Sequence, residues 1–122
     1  MVVANNAMLL LLTSKDFSQA AMAHFHYLLG NNPLSQGYIT GFGPNAASNP
    51  HHRPSVSKGH AVSGMVVGGP NRNTHQDSAL QEHCTGNAPA KCFVDHKNSF
   101  AGNEITIYWN SPVYFIAALL GV

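Results

Sequence analysis

A chain of 122 residues with 44% hydrophobic content has the length and apolar share of one globular domain. Only 9% of it is charged and the formal net charge is +1, which offers no electrostatic case for nucleic acid, an acidic membrane surface or a polyanionic substrate. An uncharged polysaccharide suits that balance, and so little charge suggests a piece of something larger rather than a free-standing domain.

The first apolar segment, from about Asn5 to Thr13, reads as a short buried helix. Its run from Ala7 to Leu12 falls far short of the about 20 residues that span a bilayer. No Lys or Arg precedes it before Lys15, so it does not read as a secretion signal either. Ser14-Lys15-Asp16 breaks the pattern, and a second helix is predicted from Asp16 or Phe17 with Asp16 as its N-cap. Ala20, Ala21, Ala23, Phe25, Leu28 and Leu29 form its apolar side, and Gly30 followed by Asn31-Asn32-Pro33 stops it.

From Asn31 to about Lys91 Gly, Pro and turn formers crowd together without sustained period, which predicts long loops. A structureless stretch of that length is usually functional. A short helix fits Asp77 to Cys84. Ser99 to Asn110 is expected to lead into a final helix, with Gly102 giving the turn, Asn103 as the N-cap and Glu104 as the first helical residue. Pro112 either kinks that helix or opens a second segment capped by Asn110. Val113, Phe115, Ile116, Leu119 and Leu120 make its tail apolar. The predicted class is all-α, with no internal repeat and no second domain boundary.

Asp95 and Glu104, two of the chain's five acids, lie in the stretch Phe93 to Ser111, whose order is F-x-D-x4-F-x3-E-x-T-x3-N-S. That order resembles the second active-site signature of glycoside hydrolase family 9, the inverting cellulases and related β-glucanases, and it matches at every fixed position. Gly37 to Arg53 resembles the family's first signature and departs from it at Gly37, where the family carries Ser, Thr or Val. Tyr27 to Pro33, Val67 to Pro70 and Trp109 to Pro112 look like family stretches too, so the resemblance covers essentially the whole chain.

The resemblance implies part of an (α/α)6 barrel, namely its last few helices with long active-site loops, and residues 1–122 as a C-terminal fragment of the catalytic domain. It implies hydrolysis of β-1,4-glucosidic bonds with inversion, which needs one protonated carboxyl for the leaving oxygen and one ionised carboxyl to activate water. Glu104 takes the general-acid role by resemblance; alone, it would read as a helix-capping residue. Asp95 is implied beside it in the active site, orienting Glu104 or a sugar hydroxyl, where alone it would read as a loop Asp bonding backbone amides. His51 is implied at the catalytic centre and, with Arg53, as a sugar contact, because imidazole and guanidinium offer planar donors and acceptors to hydroxyls. Tyr38, like Phe42 and Trp109, offers a ring on which a sugar stacks, though such residues are more often core. In the family the general base is an Asp of a D-A-G-D motif. That motif does not occur in these 122 residues, and Asp16, Asp77 and Glu82 stand in no such context.

Cys84 and Cys92 near His75, His83 and His96 raise a zinc reading, which the spacing C-x7-C does not favour. Buried thiols, or a disulfide in an exported chain, are the simpler readings. Gly41-Phe42-Gly43 and Gly68-Gly69 lack the context of phosphate loops. The expectation is therefore no cofactor and no metal, a β-glucan as partner, no nucleic acid and no membrane. The exposed helix faces are expected to meet the missing part of the barrel or a second copy. The family resemblance also implies an extracellular setting. A non-catalytic glucan-binding or remnant protein is the alternative, since sugar contacts are present and the base is not.

Overall fold

Alanines at the crossing points decide how closely the long helices pack. The computed structural model describes residues 1–84 and 86–122. In it α1 (Val2–Thr13) buries Ala4, Ala7 and Leu11, α2 (Ser18–Leu28) buries Ala21 and Leu28, and α6 (Ile107–Leu120) buries Val113 and Ile116. Small side chains on α1 let its axis lie close to both α2 and α6, and the three form one helical layer. A 3-10 turn at Lys15–Phe17 links α1 to α2, and between α2 and α6 come α3 (Arg53–Lys58), α4 (Ser78–Cys84), a 3-10 turn at Pro89–Lys91 and α5 (Phe100–Asn103).

Several boundaries differ from expectation. Helix α1 starts at Val2 rather than Asn5. Ser14, not Asp16, is the capping side chain after it: its Oγ accepts the Asp16 amide at 3.1 Å and opens the 3-10 turn that leads into α2. Ala20 and Ala23 face solvent, so the apolar side of α2 is narrower than the sequence suggests. The expected final helix is two. α5 ends at Asn103, Glu104 is extended, and α6 begins only at Ile107 after Thr106. α6 runs unbroken through Pro112, so Asn110 opens no second segment. α3 was not foreseen; Pro54 in its first turn and Gly59 at φ +74° bracket a helix too short to show a period.

The second layer is loop, and it is fastened rather than loose. Single bridges join Ile39 to Val66 and Val67 to Ile105 in antiparallel sense, and His51 to Glu104 in parallel sense. Four extended segments therefore lie side by side, in the order 51, 104–105, 66–67 and 39. Asn110 ties α6 to this layer: its Oδ1 accepts the Val66 amide at 2.8 Å and its Nδ2 donates to the Val66 carbonyl at 3.3 Å. A Cβ at Gly68 would come 2.9 Å from Trp109 Cζ3 and 3.0 Å from the Gly102 carbonyl oxygen, so a larger residue there would force its neighbours to shift. Tyr38, Ile39, Ala47, Val66 and Val67 complete the main core from the loop side. A second, small core holds Leu80, Val94 and Ala101 around a disulfide between Cys84 and Cys92, so the two sulfurs answer to each other.

No helix among the described residues is long and apolar enough to cross a membrane. Val2, Leu9 and Leu12 of α1 and Ile107, Tyr108, Tyr114 and Leu119 of α6 are each more than half exposed. Apolar residues gathered on two neighbouring helices, rather than scattered singly, mark a face built for cover. The isolated chain is accordingly expected to self-associate or to pack loosely, as size-exclusion chromatography with near-ultraviolet circular dichroism would record. A compact monomer with fixed aromatic signals would contradict this.

Candidate active site

The two sequence signatures meet through one carboxylate. Asp95 Oδ2 accepts the Ser48 amide at 2.8 Å and the Ser48 hydroxyl at 2.9 Å, while Oδ1 accepts the Asn49 amide at 2.9 Å and Asn103 Nδ2 at 3.0 Å. Asn103 also donates to the Asn49 carbonyl at 2.8 Å. Burial alone would push the Asp95 carboxyl up. The amides of Ser48 and Asn49, with the Asn103 and Ser48 side chains, outweigh it and hold the group below the usual carboxylate value.

That junction sets His51 against Glu104. The His51 amide donates to the Asn103 carbonyl at 2.8 Å, and His51 and Glu104 form the parallel bridge. Residues paired across a bridge carry their side chains on the same face. The His51 ring is fixed as well: Nδ1 lies 2.6 Å from the Lys97 carbonyl, which can only accept, so Nδ1 carries the proton and Nε2 is left for a ligand. Phe100 meets the ring edge-on at 6.1 Å between centroids. Glu104 is half-buried and, among the described residues, its carboxyl makes no hydrogen bond or ion pair. A carboxyl beside an imidazole with a free nitrogen, both opening on one face, can pass a proton to a bound oxygen and grip a neighbouring hydroxyl.

Arg53, the first residue of α3, is exposed and its guanidinium has no partner among the described residues, so it too is available to a ligand. Tyr38 departs from expectation. It is 1% exposed, its ring packs on Phe93 at 5.1 Å and Tyr27 at 6.0 Å, and its hydroxyl has no partner among the described residues. A ring sealed in the core cannot stack on a sugar, and burial followed by the neighbouring Tyr27 keeps its hydroxyl protonated far into the alkaline range. Phe42, by contrast, is more than half exposed.

Sequence reasoning missed Ser48, Asn49 and the side chain of Asn103, which carry the Asp95 junction, and also Asp77. The latter is buried: its Oδ1 takes the Leu80 amide at 2.7 Å at the start of α4, and its Oδ2 takes the Ala101 amide at 2.9 Å and the Ser99 hydroxyl at 3.3 Å in and before α5. A signal for Asn103 was present in its place directly before the acid of the second signature. Nothing local pointed to Ser48 or Asn49.

The profile of glycosyl hydrolase family 9 matches residues 1–117. A cellodextrinase from Butyrivibrio fibrisolvens is 40% identical over 109 residues, which is 88% of this chain and 20% of the relative. A cellulose 1,4-beta-cellobiosidase from Acetivibrio thermocellus is 38% identical over 99 residues, 77% of this chain and 11% of its own. Among solved structures, a single mutant of a thermostable endoglucanase from Alicyclobacillus acidocaldarius superposes with a TM-score of 0.84 at 42% identity, over 99% of this chain and 24% of that one. A second structure with the same figures holds cellobiose-like isofagomine. The described chain is helical, and it corresponds to about a quarter of these (α/α)6-barrel enzymes.

The Asp95 junction makes a pH-dependent prediction. A carboxyl held below its ordinary value stabilises the fold above that value, about 3.9 for Asp, and loses the contribution as pH falls through its folded-state value. Asp95→Asn is expected to cost about 1–3 kcal/mol at pH 7, with the difference from the parent chain narrowing below about pH 4. Urea denaturation at pH 7 and pH 3 measures it, and equal stabilities at pH 7 would remove the junction from its place in the fold.

Proposed function

The chain belongs to glycosyl hydrolase family 9, and on that premise we propose that it carries the proton-donating and sugar-gripping part of a site that hydrolyses β-1,4-glucosidic bonds with inversion. The observation that carries this reading is the His51–Glu104 bridge, which sets the first signature's histidine beside the second signature's acid. Relatives named for cellodextrins and cellulose, and one bound to cellobiose-like isofagomine, support a β-glucan as the substrate class. Their greater length and the uncovered faces of α1 and α6 support the reading of residues 1–122 as a C-terminal portion of a barrel catalytic domain. The Cys84–Cys92 disulfide suits an oxidising, extracellular setting.

In this reading Glu104 enters the reaction protonated. It gives its proton to the glycosidic oxygen as the bond from that oxygen to the anomeric carbon breaks. His51 and Arg53 hold hydroxyls of the flanking glucose units, and Asp95 acts through Asn103, one residue before Glu104, to position the acid. Water must then attack the anomeric carbon from the other face, giving up a proton to a second carboxylate. The D-A-G-D motif that supplies this base in the family is not in these 122 residues. That gap favours, as the second reading, a glucan-binding chain without catalysis of its own.

A general acid or base is typically worth about 10² to 10⁴ in rate. With half the pair and most of the cleft missing, the chain is expected to release almost no reducing sugar from soluble glucan at any pH, and Glu104→Gln to change nothing. Activity that vanishes in Glu104→Gln would overturn the half-site reading. Cellotetraose is still expected to bind, more weakly in His51→Ala and Arg53→Ala. Calorimetry that finds no cellotetraose binding would remove the sugar contacts.

A further inference from the structure

Near His51 lies a cleft of about 180 Å³ with mixed walls, in which Ser48, Asn49, Ser55, His60 and Lys97 stand among Pro50, Val56 and Ala61. It has room for about six waters, which suits one sugar ring and not a chain of them. The charges around it are one-sided. Among the described residues that line it Lys97 is the one Lys or Arg, with Arg53 and Lys58 close to the walls in sequence only. The nearest acid in sequence to those walls, Asp95, has both oxygens taken by Ser48, Asn49 and Asn103. The Lys97 ammonium has no partner among the described residues.

From these observations we infer that the cleft is a subsite for a carboxylate-bearing sugar, a uronic acid unit attached as a branch to a glucan held at His51. The inference rests on the function proposed above. Lys97 supplies the cation for the carboxylate. His60 also lines the cleft, with Nδ1 donating to the Lys58 carbonyl at 3.2 Å and Nε2 left over. Asn49 turns its Nδ2 toward the Ser48 hydroxyl at 3.0 Å, so its Oδ1 remains as an acceptor for a ring hydroxyl. Continuity with the main-chain site comes through Lys97 itself, whose carbonyl fixes the His51 ring and which is one of the residues lining the cleft. A neutral glucan offers that ammonium only hydroxyl acceptors; an acidic branch adds a counter-charge.

The test is titration calorimetry of the whole chain with methyl glucuronoside and methyl glucoside. The glucuronoside is expected to bind saturably and about three- to fivefold more tightly than the glucoside, the scale of an exposed ion pair. That preference should vanish in Lys97→Gln and shrink in His60→Asn. Both residues are exposed, so circular dichroism should match the parent. Absence of saturable glucuronoside binding, or a preference that survives both substitutions, overturns the inference. Cellotetraose separates the two readings. If it binds and the glucuronoside does not, only the subsite falls; if the glucuronoside binds and cellotetraose does not, the glucan site falls and the cleft stands as an isolated acid-sugar site.

Discussion

One carboxylate decides where both halves of the candidate site lie. Asp95 reaches 46 and 47 residues back along the chain to the amides of Asn49 and Ser48, and through the same Oδ1 it holds the Asn103 amide. His51 comes two residues after Asn49 and Glu104 one after Asn103, so the two candidate side chains are each a step or two from a single anchor. A partly buried carboxylate is costly unless its lone pairs are filled, and here neutral donors fill them. The consequence is that the geometry of the pair is set without any ion pair that solvent salt could weaken.

The same device, an uncharged amide serving two backbone groups, recurs through the long loops. Asn110 answers both the N–H and the C=O of Val66, which a neighbouring strand would otherwise do. Asn32 donates to the Tyr27 and Gln36 carbonyls at 2.8 Å and accepts the Leu34 and Gln36 amides. Buried backbone groups must find partners, and a loop layer with single bridges cannot supply them all from its own main chain. Side-chain amides make up the difference. This is how a chain with only 9% charged residues holds the 78 residues of mostly irregular structure between α2 and α6.

What was legible in the sequence was whatever depends on near neighbours or on a fixed order of residue types. Gly30 ahead of Asn-Asn-Pro stopped α2, and Ser78–Cys84 formed a helix where Asp77 to Cys84 had suggested one. The signature order singled out Asp95, Glu104 and His51, which the Asn49–Asp95 hydrogen bond and the His51–Glu104 bridge bring to one junction. The reading failed where a distant group competes with a local rule. Asn103 before an apolar run looks like an N-cap, but its amide is claimed by Asn49 and Asp95, so α5 ends there and α6 starts at Ile107. Tyr38 sits inside a sugar-binding signature, yet Tyr27 and Phe93 offer its ring a drier place. No period or cap in residues 48–51 or 103–104 reports that they touch.

The placement of Glu104 in extended backbone also bears on which groups are free for chemistry. An inverting site needs a second carboxylate across the sugar, about 6.5–9.5 Å from the acid, with lone pairs open to water. Asp95 is unsuited: Oδ1 has two donors, Oδ2 has the Ser48 amide and hydroxyl, and Asn49 Nδ2 adds a weak third at 3.4 Å. A carboxylate offers about four acceptor positions in all, and these are occupied. Asp77 is no better placed, being buried with three donors of its own. Glu104 alone among the acids of the second signature keeps its oxygens unengaged by the described residues. The fold thus distinguishes the two carboxylates by their partners. One is saturated and holds the backbone of the site, the other is left open to exchange a proton, and under the proposed inverting reaction neither Asp95 nor Asp77 supplies the second carboxylate.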